Sequence, residues 1–237
     1  MYSRNIKQIL PNHKIRYFIL ISMIILSSLE AREIKFFDIH FAVITKNSNI
    51  TIEQLKNEVN ILNKYFVNEN RKKIVQFRFK SASLCNDIKD SKCSFVKLGD
   101  TTLNYNSDDW ASVFNACADA KVRDKKAINF YIYDSYSKNR GFKDITGHGK
   151  RNSNRPYILI DKDRINHTIQ SPEEHEMGHA FGLGHTCEPN AKRNSNTNIM
   201  ASSARCNGSG GLRNIGFNKQ QVNTILKYSK KIMQRFR

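Results

Sequence analysis

In this chain of 237 residues, the segment HEMGHAFGLGH, residues 175 to 185, concentrates the residue types that do chemistry. His175 and His179 are four residues apart, so on a helix their imidazoles leave one face a turn apart, close enough to share a tetrahedral metal. Glu176 is displaced by about 100° around a helix of 3.6 residues per turn. It therefore falls beside the metal position and not on it, where a general base takes a proton from a water polarised by the metal. A histidine at position 185 would point away down the axis if the helix simply continued. Gly182 removes that obstacle, because glycine enters the left-handed region at little cost and lets the chain swing His185 back. Three neutral imidazoles bind one Zn²⁺ and leave its fourth position open, as a catalytic zinc requires. With Gly182 and His185 at these spacings, chance occurrence in a chain of this length falls to roughly one in a hundred thousand, which favours a built site over a coincidental histidine-rich helix.

The elements that must hold these residues are legible around them. Ser171-Pro172-Glu173-Glu174 marks a helix start, with Ser171 as cap, Pro172 at the first position and Glu174 completing a capping box. That helix is expected to run to about Phe181, where Gly182 ends it. Upstream, Phe36 to Thr45 reads as a strand, and Ile52, Leu55, Val59, Leu62 and Phe66 form the apolar face of a helix. Ile74 to Phe79 alternates as a second strand. A polar loop from Cys85 to Cys93 and a helix from about Asp108 to Val122 follow. Ala127 to Tyr133 and Pro156 to Asp161 are apolar enough for interior strands. Between them, Gly141 to Arg155 has room for a short edge strand. Asn190 to Gly211 is loop-like apart from Ile199 and Met200, and Phe217 to Phe236 reads as a terminal helix with Val222, Ile225, Leu226 and Ile232 inward. Strands alternating with helices imply an α/β sheet, mostly parallel and covered by helices.

On the residues His175, Glu176, His179, Gly182 and His185, the chain resembles the metzincin zinc metallopeptidases. The resemblance implies a methionine in a tight turn below the metal, and Asn198-Ile199-Met200-Ala201 fits it, with Met200 as an apolar floor and not a ligand. It also implies a two-lobed α/β (α+β) catalytic domain: a twisted, mostly parallel five-stranded sheet with one antiparallel edge strand, the active-site helix, and a small C-terminal lobe ending in a helix. The upper lobe would span about residues 32–182 and the lower lobe about 183–237. The edge strand, expected within Ile145 to Asn152, would pair with an extended substrate, and Ala201 to Gly216 would wall the pocket beside the active-site helix. Thr186 after the third histidine is similar to matrixins or pappalysins, whereas the Met-turn sequence is similar to adamalysin (reprolysin-like) proteins. Ser202 stands where some subfamilies carry a tyrosine ligand.

Residues 1–31 have the form of a signal peptide: Arg4, Lys7, Lys14 and Arg16, then an apolar run from Tyr17 to Leu29, then the small Ala31. The run is short for a membrane anchor, so export to a secreted or extracytoplasmic location is expected. The formal charge is +18, and taking away the leader's net +3 leaves +15. Such a surface attracts acidic proteins, glycans or membranes without selecting among them, and no specific nucleic acid is expected. Lys150, Arg151, Arg155, Lys192, Arg193, Arg205 and Arg213 are candidates to surround the cleft and draw acidic substrates. Five cysteines in an exported chain suggest disulfides. Several connectivities are open; Cys85 with Cys93 and Cys187 with Cys206 are favoured, and Cys117 reads as a buried free thiol.

The expectation is thus a secreted, monomeric zinc-dependent metalloendopeptidase acting on protein or peptide substrates, with His175, His179 and His185 on the metal and Glu176 as general acid/base. The alternative is a basic anion- or surface-binding protein whose zinc site is secondary or non-catalytic. His40, His148 and His167 lack partners at metal spacing and are read as surface or hydrogen-bonded residues.

Overall fold

The computed structural model describes residues 34–43, 49–84, 119–133, 147–149, 156–166, 172–203 and 206–236. The leader at 1–31 and its boundary, Cys85, Cys93, Cys117, Ser171 and most of the helix expected over 108–122 lie outside the described residues; the last residues of that segment, 119–122, form a turn.

The first strand, β1 (Phe36–Val43), carries an unbroken buried run from Ile39 to Val43. It has a parallel neighbour on each side, so both of its faces are covered and alternation is lost. Helix α1 (Ile52–Tyr65) starts at a capping box in which Thr51 and Gln54 satisfy each other's backbone N–H groups. Leu55, Val59, Ile61 and Leu62 form its buried face. Asn63 binds both backbone groups of Phe77 at 2.8 Å, which fixes the helix on the next strand.

That strand, β2 (Gln76–Ser83), begins two residues after the expected start at Ile74 and extends past Phe79. The pairing decides this: Phe36 opposes Gln76, and the ladder continues to Ala42 opposite Ser83 across an irregularity at Ile39/His40. Ile74 and Val75 are buried in the bend before it. As an edge strand, β2 points Arg78 and Lys80 outward, where they pair with Asp38 and Asp124.

Strands β3 (Ile128–Tyr133), β4 (Gly147–Gly149) and β5 (Tyr157–Asp161) complete a five-stranded sheet in the order β2-β1-β3-β5-β4. Only β4 is antiparallel, with His148 opposite Leu159. This is the expected architecture, and the edge strand lies within the expected window. A 3-10 turn, Lys162–Arg164, leads toward α2 (Pro172–Ala180), and the last helix is α3 (Lys219–Phe236).

Helix α3 starts two residues later than the apolar pattern suggested. Phe217 is extended instead: its N–H donates to Val67 O at 2.9 Å and its carbonyl accepts from Glu69 N at 3.1 Å. Asn218 then caps the helix through Gln221, each side chain meeting the other's backbone N–H at 2.9 Å. The core gathers where these pieces meet. Phe181, at the end of α2, packs edge-on against Phe37 of β1 at 5.2 Å, and Phe66 lies 4.7 Å from Phe217 and 5.2 Å from Phe77. Each such pair adds about 0.5–1.5 kcal/mol beyond the area it buries. The end of the site-bearing helix is thereby pinned to the sheet. Among the described residues, no helix is long and apolar enough to cross a membrane.

Candidate metal centre

Helix α2 carries His175, Glu176 and His179 along its buried middle. Its end is closed by two hydrogen bonds, Gly182 N to His179 O at 2.9 Å and Leu183 N to Gly178 O at 3.0 Å, with Gly182 at φ 88°. This is the Schellman arrangement, in which a left-handed residue satisfies the last carbonyls of a helix. A second constraint acts at the same place, since a Cβ on Gly182 would sit 2.5 Å from the ring of Tyr228 on α3. Beyond the turn His185 comes back to the helix, as the spacing predicted. One ligand nitrogen from each of His175, His179 and His185 lies within 4.8 Å of the others.

The ring orientations show whether such a cluster suits a metal. His175 Nδ1 donates to the carbonyl of Ile199 at 2.7 Å, and His179 Nδ1 donates to the carbonyl of Leu183 at 2.8 Å. Each carbonyl fixes the proton on Nδ1 and leaves the lone pair of Nε2 for the centre. The Nε2 atoms of His179 and His185 are 3.0 Å apart. A tetrahedral zinc with nitrogens at 2.0–2.1 Å sets neighbouring nitrogens about 3.3 Å apart, so a three-nitrogen zinc site fits here. Burial is the first cause that pushes the His175 pKa well below its usual value, and the charge of Arg213 is the next. The imidazole is accordingly held neutral, the state a metal needs.

Met200 is fully buried beneath α2, at Gly178. A Cβ on Gly178 would run into the Met200 sulfur, so the helix approaches the methionine as closely as a backbone can. The turn holding Met200 is tied on every side. Thr186, next to His185, donates to Met200 O at 2.8 Å, and Met200 N donates to the Asn198 side chain at 2.9 Å. Asn198 exchanges hydrogen bonds of 2.9–3.0 Å with Gln221 of α3, and its own N–H donates to Glu188 at 2.8 Å. Met200 thus lies buried directly against the helix that carries His175 and His179.

Cys187 and Cys206 form a disulfide, as expected, linking the chain just after His185 to the far side of the following loop. Of the basic residues expected around the cleft, Lys192 and Arg193 are exposed on that loop, Arg213 is half-buried with Nε donating to Ala201 O at 3.0 Å, and Lys150, Arg151, Arg155 and Arg205 lie outside the described residues. His40 is no ligand: its ring bonds Ser81 Oγ and the carbonyl of Lys121, both at 2.9 Å. The side chains of His148 and His167 lie outside the described residues.

Two relationships escaped sequence reasoning. One is the contact of Gly178 with Met200, for which a glycine inside the motif was the only signal. The other is the anchoring of Arg213 on the turn after Met200, where burial pulls its pKa down and the charges of Glu176 and Glu174 act against that. Glu173, in the first turn of α2, is also buried. Burial first, and the neighbouring Glu58 second, raise its pKa well above the usual carboxylate value.

No protein-family model matches this chain, and no curated protein matches it. Among solved structures it is similar to an archaemetzincin from Methanopyrus kandleri, with 14% identity, 82% of this chain and 96% of that chain covered, and a TM-score of 0.44. It is also similar to mature mirolysin of Tannerella forsythia, with 11% identity over 86% of this chain and 96% of that one, at a TM-score of 0.44. A third likeness is to metalloproteinase-II from Bacteroides fragilis, with 9% identity over 83% of this chain and 55% of that chain, again at a TM-score of 0.44.

Proposed function

We propose that the protein is an exported zinc-dependent endopeptidase of metzincin type. The observation that carries this reading is the convergence of His175, His179 and His185 within 4.8 Å, on a helix that also bears Glu176. His175, His179 and His185 would hold a zinc ion, which would supply Lewis acidity toward a peptide carbonyl and a water. Glu176, one residue from the first of them, would take the proton of the attacking water and deliver it to the leaving amine. The carbonyls of Ile199 and Leu183 hold the His175 and His179 rings in the tautomer that ligation needs.

The substrate binds extended along β4. Among the described residues that strand has β5 as its one neighbour in the sheet order, which leaves its other edge for a peptide to pair with. The leader-like residues 1–31 support export. Pure protein is expected to contain one equivalent of zinc and to cleave a peptide library in a chelator-sensitive way. Glu176→Ala should keep the zinc and the fold and lose activity by about 10²–10⁴-fold. Protein without stoichiometric zinc, or full turnover in that variant, would sink the reading.

A further inference from the structure

Helix α3 carries no acidic residue from Lys219 to Phe236. Gln221, Ile225, Leu226, Ser229 and Ile232 form its buried face, and its outer face is cationic. Lys227, Lys231 and Arg235 follow one another at four-residue steps as one exposed column, and the exposed Lys230 stands on the side of that column toward Met233. At a rise of 1.5 Å per residue these charges fall within about 12 Å of helix. Among the described residues, ion pairs within 4.0 Å join Lys56 to Glu53, Arg78 to Asp38 and Lys80 to Asp124, and none involves α3. Like charges four residues apart destabilise a helix, so the column works against α3 until an anionic partner offsets it.

The last turn of the same helix borders an open cavity of about 260 Å³. Phe36, Phe37, Met233 and Phe236 supply its apolar walls, with Asp38, Lys80 and Lys126 beside them. Asp38 is paired with Arg78 and Lys80 with Asp124, whereas Lys126 enters no ion pair among the described residues. Phe36, at the first position of β1, is 45% exposed. Cations without counter-charges and apolar walls open to solvent thus meet around the end of one helix. That combination suits an occupant that is anionic at its surface and apolar beneath it.

We propose that the C-terminal end of α3 and the cavity beside it form a peripheral docking surface for membranes of anionic phospholipid. The cations meet the headgroups, and the cavity takes apolar lipid matter behind them. A soluble acidic polymer would engage the cations and leave the cavity unused, and a neutral bilayer would leave the cations unused. The contact is interfacial, since no helix among the described residues is long and apolar enough to cross a membrane. The inference does not depend on the peptidase reading, because none of these residues belongs to the histidine cluster.

The test is sedimentation of the full chain with phosphatidylcholine vesicles that contain or lack phosphatidylglycerol. Wild type is expected to bind the anionic vesicles at least about tenfold more tightly than the neutral ones, with affinity falling as salt rises. A combined variant, Lys227→Gln with Lys230→Gln and Arg235→Gln, alters exposed side chains alone and leaves Lys231 over the Tyr228 ring, so its thermal unfolding should match wild type. At about fivefold per cation, it should bind anionic vesicles about 10²-fold more weakly. Residues upstream of β1 are the same in both proteins, so the difference reports α3. The apolar part is read separately: Phe36→Ser should weaken vesicle binding by about tenfold and keep the salt dependence. Equal binding to neutral and anionic vesicles, or a triple variant that binds as wild type does, overturns the proposal. Unaltered binding by Phe36→Ser overturns it too, and heparin bound more tightly than vesicles would then assign the cations to an acidic polymer.

Discussion

Gly178 and Met200 are in direct backbone-to-thioether contact: the helix that carries His175 and His179 rests on the methionine with no side chain between them. Phe217 closes the same space, lying 3.4 Å from where a Cβ on Gly178 would stand. Gly178→Ala should therefore push the Met-turn away from α2, with an overpacking cost of about 1–3 kcal/mol. The His175 ring, whose Nδ1 is held by Ile199 in that turn, should lose its orientation, so zinc affinity should fall together with stability. Urea unfolding of the metal-free protein and a competition titration for zinc measure the two effects, and an alanine variant unchanged in both would show that the turn has slack.

Gly182→Ala meets two obstacles at once. A left-handed alanine costs about 1–2 kcal/mol, and its Cβ overlaps the Tyr228 ring, for a total of about 2–4 kcal/mol. A companion variant, Gly182→Ala with Tyr228→Ala, should recover the steric part and leave the backbone part. If the double variant is no more stable than the single one, the Tyr228 contact is not what limits this position.

The buried Glu173 makes stability depend on pH in an unusual direction. Its folded pKa lies above the ordinary 4.5, so the folded state holds a proton that the unfolded chain releases as pH rises. Its contribution is fully favourable below 4.5 and is lost as pH climbs through the raised folded value. Glu173→Gln removes this dependence. In metal-free protein, kept so by chelator, the variant should gain on wild type with increasing pH and show the smallest difference near pH 4.5. A difference that stays constant across the range would count against the raised pKa.

The Cys187–Cys206 bridge closes a loop of 19 residues in sequence separation. Its loss through a double serine variant should cost about 3 kcal/mol, chiefly by freeing the unfolded chain. Because Thr186 is bonded to Met200, loosening this loop should also weaken zinc binding. Thermal unfolding and zinc competition on the oxidised, reduced and variant proteins separate the two contributions.

The metal site was legible because its information is local. Two histidines at a helical spacing, a carboxylate beside the first and a glycine that breaks the helix depend on a few consecutive residues, and the structure brings the three histidines together beyond a helix that ends at Gly182. Element boundaries were less legible, because partners set them. Gln76 opens β2 since Phe36 opens β1, and Phe217 is held out of α3 by Val67 and Glu69. The loop that carries Arg213 was not legible either. Thr197 donates to Gly210 O across 13 residues, and nothing in either segment alone shows that they meet.

The stitch between residues 67–69 and Phe217 has a consequence for how the protein is made. A segment near the start of the described chain and the approach to its last helix are neighbours, and Phe217, Ile225 and Ile232 are fully buried. Contacts this distant in sequence form slowly and only after both partners exist. A nascent chain halted before Phe217 would carry its histidines and Met200 without Gln221 of α3, which braces the turn through Asn198, so tight metal capture should arrive only once synthesis has passed α3.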